Sequence, residues 1–145
     1  MKPLNPSFAE EVERSFARQP VMILIGARLS LVEPGLVEIT LPYRDDLAQQ
    51  DGYVHAGIIT TIADSASGYA AYSLMPEGSR VLSVEFKVNL LRPARGESFI
   101  SRGEVIKPGR TLTVVRADVF GIDGDDQREL VATMLSTMFC LRDRE

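Results

Sequence analysis

The sequence is poor in the residues that build disulfides and metal sites. Among its 145 residues there is one cysteine, Cys140, and one histidine, His55. A lone cysteine excludes an internal disulfide bond, and these two residues do not supply the ligand spacing of a zinc site. We therefore expect no disulfide and no metal cofactor.

Long apolar runs and a surplus of positive charge are missing too. Residues 21–25 form only a short apolar run, whereas a membrane-spanning helix needs about 20 consecutive apolar residues. The N-terminus lacks the apolar region of a secretory signal, so we expect a cytoplasmic protein that binds no membrane. The net charge of -4 argues against a general nucleic-acid binder, although a local basic cluster could still meet the phosphates of a small ligand.

What remains is the composition of a soluble globular protein, with 45% hydrophobic and 25% charged residues. A chain of 145 residues is long enough for one core and too short for two ordinary domains. We therefore predict a single domain that spans residues 1–145.

Hydrophobic periodicity and turn residues predict the order of the elements. The clearest strand is the one in which Leu82, Val84, Phe86, Val88 and Leu90 alternate with polar residues. The last strand is apolar on both faces, which predicts a central place in the sheet. The predicted order is a helix over residues 7–18 that Pro20 ends, strands over 27–32 and 36–41, a loop over 43–51, a long helix that starts near His55 or Ala56, and strands over 82–90, 97–107, 111–120 and 129–141. This order indicates the α+β class, with an antiparallel sheet and the long helix packed against it.

The chemistry is expected where the long helix begins. Asp64 lies nine residues after His55, inside an otherwise apolar helix. The residues before the helix include none of the usual Ser, Thr, Asp or Asn caps, so the first amides are expected to lack a side-chain partner. Free N–H groups at a helix start suit a carbonyl oxygen that gains negative charge in a transition state. The alternative is a helix end solvated by water, with Asp64 in an ion pair.

These residues and their context resemble the PaaI-like branch of the hotdog-fold acyl-CoA thioesterases. The resemblance covers nearly the whole chain. It includes the His-x-Gly-x6-Asp spacing from His55 to Asp64, the turn at Pro34 and Gly35, and the segments 82–86, 91–94 and 107–110. It implies a hotdog fold, in which the sheet wraps around the long helix. It also implies a homodimer, often doubled to a dimer of dimers, with each active site at the subunit interface.

The resemblance further implies an acyl-CoA substrate and a role for each motif residue. Asp64 acts as general base or nucleophile on the thioester and reaches the site from the partner subunit. The amide of Ala56 polarises the thioester carbonyl, and His55 and Gly57 shape this end of the site. Coenzyme A enters only as part of the substrate, so no cofactor is implied.

Three positions depart from the family pattern or from simple geometry. Ala56 stands where relatives often have glycine, which keeps the N–H donor but requires the turn to tolerate a Cβ. Gln49 stands where many relatives have an asparagine that positions water or substrate. Ser83 matches a serine near the attacking water, yet strict alternation places it on the face opposite Leu82 and Val84.

Basic residues near turns are candidates for the phosphates of coenzyme A. Lys107 and Arg110 flank the turn at Pro108 and Gly109, and Arg92 is a weaker candidate of the same kind. Carrier and acyl group stay open, because acyl carrier protein and aryl or aliphatic acyl groups all fit the sequence.

Two other functions remain after this reading. A hotdog dehydratase or hydratase could use His55 together with Asp64, and a non-catalytic acyl-CoA binding protein would need neither as a catalyst. A serine hydrolase is a poor fit, because no Gly-x-Ser-x-Gly motif is present.

Overall fold

The computed structural model describes residues 1–142. This part of the chain contains three α-helices and six strands. They are, in order, α1 (Phe8–Ala17), α2 (Pro20–Ile25), β1 (Arg28–Glu33), β2 (Leu36–Pro42), α3 (Ala56–Tyr72), β3 (Arg80–Leu90), β4 (Ser98–Lys107), β5 (Leu112–Ile122) and β6 (Arg128–Leu141), with a short 3-10 helix at Asp45–Leu47. None of the helices in this range has the length and apolar character needed to cross a membrane.

The six strands form one antiparallel sheet in the order β1-β2-β4-β5-β6-β3. Helix α3 packs against β2, β3, β4, β5 and β6. The predicted α+β architecture, a sheet that wraps around a long helix, is therefore confirmed. Strand β6 lies between β5 and β3, so its predicted interior position is also confirmed.

The core lies between α3 and the sheet because α3 is apolar on the side that meets the strands. Ile59, Ile62 and Ala66 are buried there. Each buried large aliphatic side chain contributes roughly 1.5–3 kcal/mol of transfer free energy. The helix approaches β4 so closely that a Cβ on Gly103 would lie 2.4 Å from the carbonyl oxygen of Ala66. Only glycine fits at that point.

A second short helix follows Pro20, where the sequence predicted only the end of the first helix and an apolar run. Proline ends a helix that precedes it, but it also suits the first position of a helix, because its missing N–H has no partner there. Pro20 takes that first position in α2, and Gly26 ends the helix with φ of 76°. The helix buries Met22 and Ile25 against the core.

A β-bulge in β3 breaks the predicted alternation. The register against β6 shifts between Ser83 and Glu85, so Val84 is the extra residue. Ser83 pairs with the buried Met138, whereas Leu82 pairs with Phe139 on the other face. Ser83 lies opposite Leu82, as alternation predicted. The prediction that Leu82 shares a face with Val88 was wrong, and Ser83 therefore faces the helix instead of solvent.

Candidate active site

Asp64 and Ser83 form the first half of the candidate site. The Ser83 Oγ donates a hydrogen bond of 2.7 Å to Oδ1 of Asp64. This contact exists because the bulge at Val84 lets Ser83 face α3. Asp64 is half-buried, and no basic residue within 1–142 forms an ion pair with it. The ion-pair alternative for Asp64 is therefore wrong, and its second oxygen is open for chemistry.

The cleft around Asp64 has a volume of about 620 Å³. Its walls come from α3, from β3 and from the connection between α1 and α2, through Arg18 and Gln19. Tyr69 also lines the cleft, and its hydroxyl lies 3.3 Å from the Ser15 hydroxyl. Burial is the main cause that raises the pKa of Tyr69. The phenol is thus neutral near pH 7 and can exchange hydrogen bonds with a ligand beside Asp64.

The start of α3 is capped by His55, contrary to the prediction of an uncapped end. The Nδ1 atom of His55 accepts a hydrogen bond of 2.8 Å from the Gly57 N–H. The amides of Ile58 and Ile59 bond to the His55 carbonyl at 2.9 and 3.2 Å. The prediction missed this cap because an imidazole nitrogen replaces the usual oxygen acceptor. The Gly57 amide is consequently occupied.

The amide of Ala56 is the helix-start donor that stays available. None of the residues 1–142 accepts a hydrogen bond from it. The preceding His55 has φ of -58° and ψ of 137°, so the chain enters the helix without unusual torsion angles. Within the described range, Asp126 is the sole non-glycine residue with positive φ, so alanine at position 56 carries no such strain. The Cβ is tolerated and the donor is kept.

Gln49 holds the loop that precedes α3. Its Oε1 accepts hydrogen bonds from the amides of Asp51 at 2.6 Å and Tyr53 at 3.2 Å. Gln49 and Ala56 line the same pocket of about 490 Å³, which we call the Ala56 pocket. Because the oxygen is already bonded within the loop, the amide hydrogens of Gln49 are the groups left for a ligand.

One chain does not bring the two halves of the site together. Ala56 and Asp64 lie eight residues apart on α3, which corresponds to about 12 Å along the helix axis. They also line different clefts. His55 lines a third one, with Asp46 and Thr61. A reaction that needs both Ala56 and Asp64 therefore needs a second copy of the chain.

Comparisons with known proteins place this geometry in a family. The sequence profile of the thioesterase superfamily matches residues 51–127, just over half of the chain. The chain belongs to the thioesterase superfamily. A relative from Halobacterium salinarum, named "Putative esterase VNG_1336C", is 30% identical over 104 residues and matches 68% of each chain.

Solved structures agree with the superfamily assignment. A thioesterase family protein from Silicibacter pomeroyi has a TM-score of 0.91 and 52% identity, and the match covers 94% of this chain and 99% of that chain. The E. coli PaaI protein has a TM-score of 0.82 over 95% of this chain and 96% of its own. At 15% identity the PaaI match shows the fold alone, which is the hotdog fold. Membership supports hydrolysis of thioesters as the activity.

In this thioesterase, the three basic candidates lie at two different ends of the fold. Lys107 ends β4, and Arg110 lines a groove with Leu74 beyond the C-terminal end of α3. That end is about 25 Å from Ala56, the length of the 17-residue helix. Arg92 instead lines the Ala56 pocket and pairs with Glu129. Of the three, only Arg92 lies beside the helix start.

The sequence did not predict two residues at the candidate site, Tyr53 and Arg95. Tyr53 lines the Ala56 pocket, and its hydroxyl accepts a hydrogen bond of 2.7 Å from Nη2 of Arg95. The guanidinium carbon lies 5.1 Å from the centre of the Tyr53 ring. The hydrogen bond to Tyr53 is the main cause that raises the pKa of Arg95. No periodicity or motif links residues 42 positions apart, so the fold alone reveals this pair.

Proposed function

We propose that the protein hydrolyses acyl-CoA thioesters to a carboxylic acid and free coenzyme A. The site is composite and forms in a homodimer, where Ala56 of one subunit meets Asp64 of the partner subunit. The observation that carries the proposal is the separation of two complementary groups: a helix-start N–H without an acceptor in its own chain, and a carboxylate about 12 Å away.

The Ala56 N–H supplies the electrophilic half of the reaction. A thioester carbonyl becomes an oxyanion when it is attacked, and a donor aimed at that oxygen lowers the barrier by about 2.7–4 kcal/mol. The positive end of the α3 dipole adds to this stabilisation. The free amide hydrogens of Gln49 face the same pocket and can hold the carbonyl or the attacking water.

Asp64 supplies the second half. With Oδ1 held by Ser83, Oδ2 takes a proton from water as the water oxygen attacks the carbonyl carbon. The tetrahedral intermediate then expels the coenzyme A thiolate, and the proton passes to the thiolate. Direct attack by Asp64 would give an anhydride that water then opens to the same products. Label in the Asp64 carboxylate after a single turnover in ¹⁸O-labelled water would establish the anhydride route, with water attacking the aspartyl carbon, because direct hydrolysis puts the label only in the product acid.

The edge strand β3 offers an exposed apolar surface for the proposed dimer. Strand β3 is an edge strand, and it exposes Leu82, Val84 and Phe86 by 55%, 57% and 44%. Exposed edge strands with apolar side chains favour pairing with another chain. Leu112 and Leu135 on β5 and β6 are also exposed, which supports a second interface and hence a dimer of dimers. We place the reaction in the cytoplasm, where the buried thiol of Cys140 can stay reduced.

The geometry favours hydrolysis over dehydration. A dehydratase of the kind considered above would pair His55 with Asp64. In this chain Nδ1 of His55 already accepts a hydrogen bond from the Gly57 amide, so this nitrogen is engaged in capping the helix. A non-catalytic acyl-CoA binder would keep the pockets and lack turnover, so it is an outcome of the test below.

The test measures thiol release with a disulfide dye from aryl, short, medium and long acyl-CoA substrates. Wild type is compared with Asp64→Asn and with Asp125→Asn, a matched change in the exposed turn after β5. We expect Asp64→Asn to lose about 100- to 10,000-fold in kcat, the range for general bases, and Asp125→Asn to lose nothing. Retained turnover in Asp64→Asn would remove Asp64 from the mechanism. No release by wild type would favour the dehydratase or the binding protein.

A further inference from the structure

A second cleft adjoins the Ala56 pocket and contains three arginines. It has a volume of about 560 Å³ and is lined by Arg92, Arg95 and Arg128, which we call the arginine cleft. Arg92 lines both cavities, so they lie next to each other on either side of that side chain. The Tyr53 to Arg95 hydrogen bond connects their walls a second time.

The three arginines are held in different ways. Arg92 pairs with Glu129, which neutralises it. Arg95 donates its hydrogen bond to the hydroxyl of Tyr53, and no carboxylate of residues 1–142 forms an ion pair with it. Arg128 begins β6, where it pairs with Ile122 of β5, and its side chain has no hydrogen bond or ion pair with any residue in the range 1–142. One further acid, Asp123, lines the cleft, which leaves an excess of positive charge.

The Ala56 pocket has the opposite character. Most of its walls are apolar, with Leu90, Leu91 and Val131 among them, and Arg92 is its one charged lining residue. An apolar pocket beside a basic cleft matches a ligand with an uncharged arm and a phosphorylated end. Arginine binds phosphate oxygens bidentately, and Arg95 and Arg128 keep N–H groups free for that purpose.

We propose that the arginine cleft binds the phosphate groups of the 3′-phosphorylated nucleotide of coenzyme A. The pantetheine arm then lies in the Ala56 pocket, with the thioester carbonyl at the Ala56 amide. The inference rests on the proposed function and deepens it, because it selects coenzyme A over acyl carrier protein as the carrier. It also replaces Lys107 and Arg110, the phosphate contacts predicted from the sequence, with Arg95 and Arg128.

The competing basic site lies at the other end of helix α3 from Ala56. Arg110, Lys2 and Arg142 line the groove at the C-terminal end of α3. The thioester position is tied to Ala56, at the other end of that helix, about 25 Å away. The arginine cleft, by contrast, shares a side chain with the Ala56 pocket.

The test compares two thioesters of the same acyl group, one on coenzyme A and one on N-acetylcysteamine, which lacks the nucleotide. For Arg128→Ala we expect the ratio of kcat/KM between the coenzyme A ester and the truncated ester to fall about tenfold or more, through KM. Arg28→Ala, on the distant edge strand β1, is the matched control and should leave the ratio unchanged. Circular dichroism checks that each variant is folded.

A direct binding measurement accompanies the kinetics. Adenosine 3′,5′-bisphosphate should bind wild type in calorimetry and inhibit the coenzyme A ester competitively, and Arg128→Ala should weaken both effects about tenfold. Equal inhibition by inorganic phosphate at the same concentration would reduce the cleft to a general anion site and overturn the proposal.

The remaining outcomes separate this inference from the proposed function. An unchanged ratio in Arg128→Ala, or a fall in Arg110→Ala instead, would overturn the arginine cleft while thioester hydrolysis stands. If wild type hydrolyses neither ester, the proposed function fails. Binding of the bisphosphate that depends on Arg128 would then still support the nucleotide subsite.

Discussion

The start and the middle of helix α3 carry the two halves of the proposed site. Different kinds of contact hold the two halves in place. At the start, His55 caps Gly57 two residues away, and Gln49 binds amides two and four residues away. In the middle, Asp64 is held by Ser83, 19 residues away on another element. The first half depends on local sequence, whereas the second depends on a bulge and on sheet pairing.

Because of this difference, we expect the two halves to respond differently to changes in the sequence. A local hydrogen bond survives as long as the two residues and the helix start survive. A contact between elements also needs the register of β3 against β6, which one inserted or deleted residue would change. The following predictions test that contrast, beginning with the largest effect.

Removing the donor at the helix start should have an effect second only to that of Asp64→Asn. Ala56→Pro deletes the N–H at the first helical position, where proline is well tolerated, and His55 already has the extended ψ that precedes proline. We expect kcat to fall about 100- to 1,000-fold with the fold retained. Ala56→Ser keeps the N–H and serves as the control. Similar kcat values for the two variants would show that another group binds the oxyanion.

Mixing the two halves should restore activity if they belong to different subunits. Ala56→Pro and Asp64→Asn chains are co-expressed with different tags, and the mixed dimers are assayed for thiol release. One of the two sites in each mixed dimer then has both Ala56 and Asp64 intact. Dimers purified on both tags should recover about half of wild-type activity. The unseparated pool should recover about a quarter, because random pairing makes half of the dimers mixed. No recovery would contradict a site shared between subunits.

Loss of the contact between elements should have a smaller effect. Ser83→Ala leaves Asp64 in place but removes its only hydrogen-bond partner in the described part of the chain. We expect kcat to fall about tenfold, the size of one hydrogen bond to a charged group, with KM nearly constant. Ser30→Ala, on β1, removes a comparable exposed bond to Thr40 and should leave kcat unchanged.

Loss of the local cap should mainly affect stability. His55→Ala deprives the Gly57 N–H of its acceptor, so we expect the free energy of unfolding to fall by about 0.5–2 kcal/mol. His55→Asn retains a capping acceptor and should remain close to wild type. Urea unfolding at a fixed protomer concentration measures the difference, since dimer stability depends on concentration. A loss of activity without loss of stability in His55→Ala would instead assign His55 to the chemistry.

Much of the fold could be predicted because most elements follow simple periodicity. The strands are within a few residues of their predicted bounds, and β6 lies inside the sheet as expected. The failures have local causes: Pro20 starts a helix as well as ending one, and the bulge at Val84 reverses the alternation on which the placement of Ser83 rested. Periodicity alone cannot locate a bulge, because the extra residue leaves no distinct pattern.

The sequence by itself determined the class of the fold, the position of the long helix, and the presence in that helix of a carboxylate nine residues after His55. These depend on spacing along the chain and on residue chemistry, which are both present in one dimension. Only the tertiary structure decided that Ser83 orients Asp64, that Ala56 and Asp64 open into separate clefts, and that Arg92, Arg95 and Arg128 meet beside the Ala56 pocket. These juxtapositions arise from sheet register and from loops that bring distant residues together, so no local pattern encodes them.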